Sequence, residues 1–125
     1  MSEPYLMQLM SRQTAWLSAR GAVVAGNISN ANTPGYKAID VAPFANVMKE
    51  TGISIARTDS AHLAAADVAA FARTVSDKSD GDATLSGNSV GIETQLMRLG
   101  DVGRSYSLNV NLKRAFHQML VSSAK

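Results

Sequence analysis

"GNISNANTPGYKA", residues 26–38, decides how the rest of the chain is read. Three asparagines, Asn27, Asn30 and Asn32, stand among small residues and one isoleucine, and Thr-Pro-Gly-Tyr follows at once. The Pro34 ring pushes Thr33 out of the helical region and offers no N–H. Gly35 supplies the positive φ that the centre of a type II turn requires. Asn30 or Asn32 can cap exposed helix carbonyls through a side-chain amide, or accept a left-handed conformation. The stretch therefore predicts a built helix terminus.

Upstream, residues 3 to about 32 read as one helix. Leu6, Met10, Leu17, Val24 and Ala31 recur at spacings of four and seven, and Leu9, Trp16, Val23 and Ile28 widen the stripe. That period is helical, not the two-residue period of a strand. Gln13, Arg20 and Asn27 interrupt it where a clean coiled coil would carry leucine. A second long helix is predicted from about residue 90 to 123, where Ile92, Leu96, Leu99, Val102, Tyr106, Val110, Phe116 and Leu120 recur at three to seven residues.

The middle is short. Ala-Ile-Asp-Val (38–41) and Ile-Ser-Ile-Ala (53–56) alternate like brief strands, and "PFANVMKET" (43–51) suits two helical turns after Pro43. Residues 59–72 are alanine-rich and predict a short helix, and the polar run 76–89 predicts a mobile loop. The expected organisation is an N-terminal helix over 1–33, a middle segment over 34–89 and a C-terminal helix over 90–125. The fold class is mainly α, with the two long helices packed as an elongated, coiled-coil-like pair and minor β structure between them. At 1.5 Å per residue each long helix spans on the order of 45–50 Å.

Composition narrows the function. A length of 125 residues favours one modest domain, and a net charge of +2 with scattered Lys and Arg forms no basic patch for nucleic acid. The absence of cysteine removes disulfides, thiol catalysis and zinc–thiolate sites. No run reaches the ~18 apolar residues of a membrane span. The N-terminus has Glu3 and neither a basic region nor a long apolar run, so it does not read as a Sec signal peptide. His62 and His117 have no ligand set at metal spacing, "GDVGRS" (100–105) lacks phosphate-loop spacing, and Asn27-Ile28-Ser29 is a sequon set within a helix. No carboxylate pair suggests acid–base work. The expectation is a chain with no catalytic residue, no cofactor and no metal.

Gly21 and Gly26 in the first helix, and Gly100 and Gly103 in the second, each cost about 1 kcal/mol relative to alanine. Close helix approach, or a helix kept soft until a partner packs on it, would offset that cost. Both uses point to helices completed by other subunits; a self-contained hairpin with tolerated glycines is the other reading.

The helix end at Ala25, Asn27, Ile28, Asn30, Ala31, Thr33, Pro34, Gly35, Tyr36 and Lys37 resembles the N-terminal signature of the flagellar axial proteins, the rod, hook and hook-associated subunits. "GNSVGIETQLMRLGDVGRSYSLNVNLKRAFHQML" (87–120) is similar to the closing helix of the rod members. The short middle and "IARTDSAHL" (55–63) resemble the proximal rod subunits in particular. Gly91 stands where that family more often has Asp, so Asn88 or Ser89 is expected to cap the last helix.

The resemblance implies a structural subunit that polymerises through its terminal helices into the wall of the drive shaft and export channel. It implies an assembly interface on Met10, Leu17, Val24, Ile28, Leu99, Tyr106, Phe116 and Leu120, and a turn of Asn27, Asn30, Thr33, Pro34, Gly35 and Tyr36 that sets where the chain leaves the tube. Asparagine, which both donates and accepts, suits such a junction. The implied partners are other rod proteins, further copies of the chain, the rod–MS ring junction adaptor, the MS ring and the export gate, reached through the flagellar type III apparatus to a periplasmic rod. A small helical adaptor or secretion chaperone is the alternative; an acidic surface would favour a chaperone, and the +2 charge does not.

Overall fold

The computed structural model describes residues 5–50, 74–76, 85 and 87–125. Its elements in chain order are α1 (Tyr5–Ser29), β1 (Ile39–Val41), α2 (Phe44–Glu50), β2 (Thr74–Ser76) and α3 (Ile92–Ser123). The predicted helix over 59–72 and the predicted strand at 53–56 lie outside the described residues.

The two long helices pack antiparallel. Asn27, near the end of α1, meets Gln95 near the start of α3, while Ser11 and Thr14 meet Lys113 and Asn109. The helix α3 runs 32 residues, about 48 Å, and is the longer of the two. Leu17 and Val24 of α1 and Val102 of α3 are buried in the pair. At Gly21 an added Cβ would lie 3.5 Å from Val102 Cγ1, so this glycine does mark a close helix approach. At Gly26, Gly100 and Gly103 a Cβ would meet nothing within 4 Å.

The pairing face of α3 differs from the expected stripe. Gln95, Val102 and Asn109, at a strict spacing of seven, are its buried residues. Ile92, Leu96, Leu99, Tyr106 and Leu120, which apolar periodicity placed on the packing stripe, are exposed. Amides win the seam because they find backbone and side-chain partners on α1, so their burial carries no desolvation penalty for the groups that are satisfied. Apolar periodicity counts an amide as a surface residue and so misses Gln95 and Asn109, while Val102 of the expected stripe is buried.

The end of α1 also comes earlier than the expected residue 32. Beyond Ser29 the backbone tightens: Ala31 N–H donates to Ile28 O and Thr33 N–H to Asn30 O, three residues back. Asn30 turns its side chain onto Gly26 O at 2.8 Å, and caps a carbonyl as expected. At the start of α3 the N-cap is Gly91, in extended conformation and without a side-chain cap, and not Asn88 or Ser89.

After the turn, β1 pairs antiparallel with β2, Ile39 opposite Ser76 and Val41 opposite Thr74. The helix α2 follows Pro43, whose carbonyl accepts from Asn46 and Val47, as the proline position predicts. Ala42 and Val47 form a small buried cluster against Trp16, Ala19 and Phe44. Trp16 Nε1 donates to Ala42 O at 2.8 Å, and its ring lies 5.8 Å from that of Phe44. The predicted loop over 76–89 lies mostly outside the described residues; Ser76 belongs to β2 and residues 87–89 are bonded to the turn after α1.

Leu17→Asp places an unpaired carboxylate in the buried face of α1, at a cost of several kcal/mol. Leu96→Asp changes a side chain that is 52% exposed in the single chain, and should shift stability by less than about 0.5 kcal/mol. Urea titration of dilute protein followed by circular dichroism is expected to show collapse for the first and near-identity with the parent for the second. Equal losses would refute the assignment of the two faces.

Candidate functional site: the helix junction and the outer face of the last helix

Asn27 is fully buried and joins three elements. Its Nδ2 donates to Ile39 O at 2.6 Å and to Gln95 Oε1 at 3.0 Å. Its Oδ1 accepts from Ile39 N–H at 3.2 Å and from the Tyr36 hydroxyl at 3.3 Å. Both donors and both acceptor sites of the amide are used, which is what lets it be buried. Ile39 thus presents its N–H and C=O to a side chain as it would to a neighbouring strand.

The following turn is the type II turn expected from Thr33-Pro34-Gly35-Tyr36. Tyr36 N–H donates to Thr33 O at 3.2 Å, and Gly35 has φ +75°. Thr33 Oγ1 donates to Asn30 Oδ1. Thr33, Pro34 and Gly35 are exposed, whereas Asn30 and Tyr36 are half-buried. Residues 87–90 lie along this turn. Asn88 Nδ2 donates to Asn30 O and Thr33 O, Ser89 N–H donates to Tyr36 O, Ala38 N–H donates to Ser89 Oγ, and Lys37 Nζ donates to Gly87 O.

A second tie runs from the middle of α1. Arg20 grips Asp40 with two parallel hydrogen bonds of 3.2 Å, and its guanidinium lies 5.6 Å from the Trp16 ring centroid. Arg20, which breaks the apolar stripe in the sequence, is therefore a strut to β1. Both partners keep partial solvent contact, so the pair contributes geometry more than stability.

At the open end of the helix pair, Asn109 Nδ2 donates to Met10 O at 2.7 Å and to Thr14 Oγ1, and Lys113 Nζ donates to Ser11 Oγ at 2.6 Å. The expected interface residues divide into three groups. Leu17 and Val24 are buried within the chain, Met10, Ile28 and Phe116 are half-buried, and Leu99, Tyr106 and Leu120 are exposed. Gln95 and Asn109 were not anticipated; their spacing of seven from Val102 was the available signal.

Outside the buried row, α3 is apolar on both flanks. Ile92, Leu96, Leu99 and Tyr106 lie to one side, and Leu108, Leu112 and Met119 to the other, all exposed. No group of three His, Asp or Glu side chains that could hold a metal ion occurs among the described residues, and His62 lies outside them. The arrangement orders chain segments and offers apolar surface.

Asn27→Ala removes one hydrogen-bond partner each from Ile39 N–H, Ile39 O, Gln95 Oε1 and the Tyr36 hydroxyl. With about 1–3 kcal/mol for each buried group left unsatisfied, the expected loss is at least about 3 kcal/mol. Urea unfolding measures it; a loss under about 1 kcal/mol would show that Asn27 is not the hub of the junction.

The profile of the family described as "Flagella basal body rod protein" matches residues 9–37, the stretch that carries α1 and the turn. The chain is 40% identical to a "Flagellar basal body rod protein FlgB" of Agrobacterium fabrum, an alignment covering 96% of this chain and 92% of that protein. It is 28% identical to the protein of the same name in Salmonella typhimurium, over 74% of this chain and 73% of the relative. Conserved length, the matched helix end and identity along nearly the whole chain agree: the chain belongs to the flagellar basal body rod protein family.

Proposed function

We propose that this chain is a structural subunit of the proximal rod, polymerising through its terminal helices to form part of the drive shaft and of the export channel wall. The observation that carries this reading is the outer face of α3. Among the described residues, the 32-residue α3 buries Gln95, Val102 and Asn109 and leaves apolar side chains exposed on both flanks. Apolar side chains exposed in this number along one helix mark an interaction surface. Further copies of the chain and neighbouring rod proteins are the partners in this reading. The rod–MS ring junction adaptor, the MS ring and the export gate lie on the side nearest the cell. The route is the flagellar type III apparatus, and the site is the periplasmic rod.

The junction has a distinct task in this reading. The hydrogen-bonded knot around Asn27 and the Pro34–Gly35 turn fixes where the chain leaves the helix pair, so that the middle segment projects at a set angle from the tube. The helix faces then remain free for other subunits.

Leu99→Asp and Tyr106→Asp are expected to leave the fold of the isolated chain intact, because both side chains are exposed there. In a rod they would place a carboxylate in a packed contact at a cost of several kcal/mol. The expected outcome is normal circular dichroism of the monomer, loss of swimming in a complemented deletion strain, and basal bodies that stop before the rod in electron micrographs. Normal motility of both variants would overturn the assignment of this face to assembly.

A further inference from the structure

Two heptad rows run side by side along α3, offset by three residues. Gln95, Val102 and Asn109 form one row, and Ile92, Leu99 and Tyr106 the other. On a helix of 3.6 residues per turn, that offset sets the rows about 60° apart. By apolar content the second row is the better one to bury. Yet Ile92, Leu99 and Tyr106 are 46%, 38% and 42% exposed, and the row that faces α1 is the one with two amides.

The face of α1 accounts for the choice. Asn27 Nδ2 gives one hydrogen to Ile39 O and the other to Gln95 Oε1. Further along, Thr14 Oγ1 donates to Met10 O at 2.9 Å, and Asn109 Nδ2 donates to both of these oxygens. Between the two polar points, Val102 packs against Gly21, where an added Cβ would lie 3.5 Å from Val102 Cγ1. Turning α3 by about 60° would bring Ile92 and Tyr106 towards those points. The second hydrogen of Asn27 Nδ2 would then lose its acceptor, and Thr14 Oγ1 its donor, behind apolar side chains. Covering polar groups without pairing them is unfavourable.

We propose that Gln95 and Asn109 are a rotational lock on α3. They hold the helix turned so that Val102 faces α1 and Ile92, Leu99 and Tyr106 face outward. They exclude a second packing in which the apolar row turns inward and is used up within the chain. The amides select between two faces of one helix, as a buried polar residue selects register in a coiled coil, at a cost in stability. The lock belongs to the single chain, and it holds whether or not the chain forms a rod.

The chain has no cysteine, so one introduced thiol reports one position. Val102→Cys places it in the buried row and Leu99→Cys in the exposed row. With the amides intact, a maleimide should label Leu99→Cys faster than Val102→Cys in the dilute full-length chain. In a background of Gln95→Ala with Asn109→Ala, the row facing α1 has no amide left and the apolar row outweighs it. The order of labelling is then expected to invert, with the ratio of rates changing by about tenfold or more, while circular dichroism keeps its helical signal. Asn109→Ala alone leaves the Asn27–Gln95 bond and should move the ratio the same way by a smaller factor. Adding Ile92→Ser and Tyr106→Ser to the double-alanine background removes the competing row and should restore the parental order. An order unchanged by loss of the amides would show that Val102 and the turn already fix the helix, and would overturn the lock. So would two thiols made equally reactive, since the amides would then hold the pair together without choosing a face.

Discussion

The rest of the structure depends on one constraint: β1 leaves the turn as an extended segment, and its backbone must find partners away from water. Pairing with β2 supplies one neighbour. The Asn27 amide supplies the other, taking both the N–H and the C=O of Ile39. An apolar residue at position 27 would lengthen the helix stripe but leave a strand edge unpaired in the interior. Because the same amide also reaches Gln95 and Tyr36, the end of α1, the path of β1 and the first turns of α3 are set together.

Helix stripes, the turn and its glycine, the short strand at 39–41 and the helical turns after Pro43 were legible in the sequence because each rests on local rules of backbone geometry. The partner face of α3 was not. Gln95 and Asn109 read as polar surface until the donors and acceptors of α1 are known, and those are set by tertiary structure. Arg20 was legible only as a defect in the stripe; its use is defined by Asp40, twenty residues on. The strand at 74–76 was missed for a similar reason. Three residues carry too little alternation to announce themselves, and it is the pairing with β1 that makes Thr74–Ser76 a strand.

The glycines divide by environment. Gly21 touches Val102 across the helix pair, so its lack of a side chain serves the chain itself. At Gly26, Gly100 and Gly103 an added Cβ would meet nothing within 4 Å, so no contact among the described residues requires their small size. Among the described residues, α1 is contacted by α3, by β1 through Arg20 and by the small cluster at Ala42 and Val47, whereas the flanks of α3 are exposed.

The modest apolar core has a thermal consequence. Among the described residues its buried members, such as Leu17, Val24, Val47 and Val102, are few and mostly small, and amides hold much of the remaining contact. Exposing apolar surface raises the heat capacity of unfolding, whereas exposing polar surface lowers it. A junction built on amides therefore gives a small heat-capacity change and a shallow stability curve. The single chain should therefore respond gently to temperature.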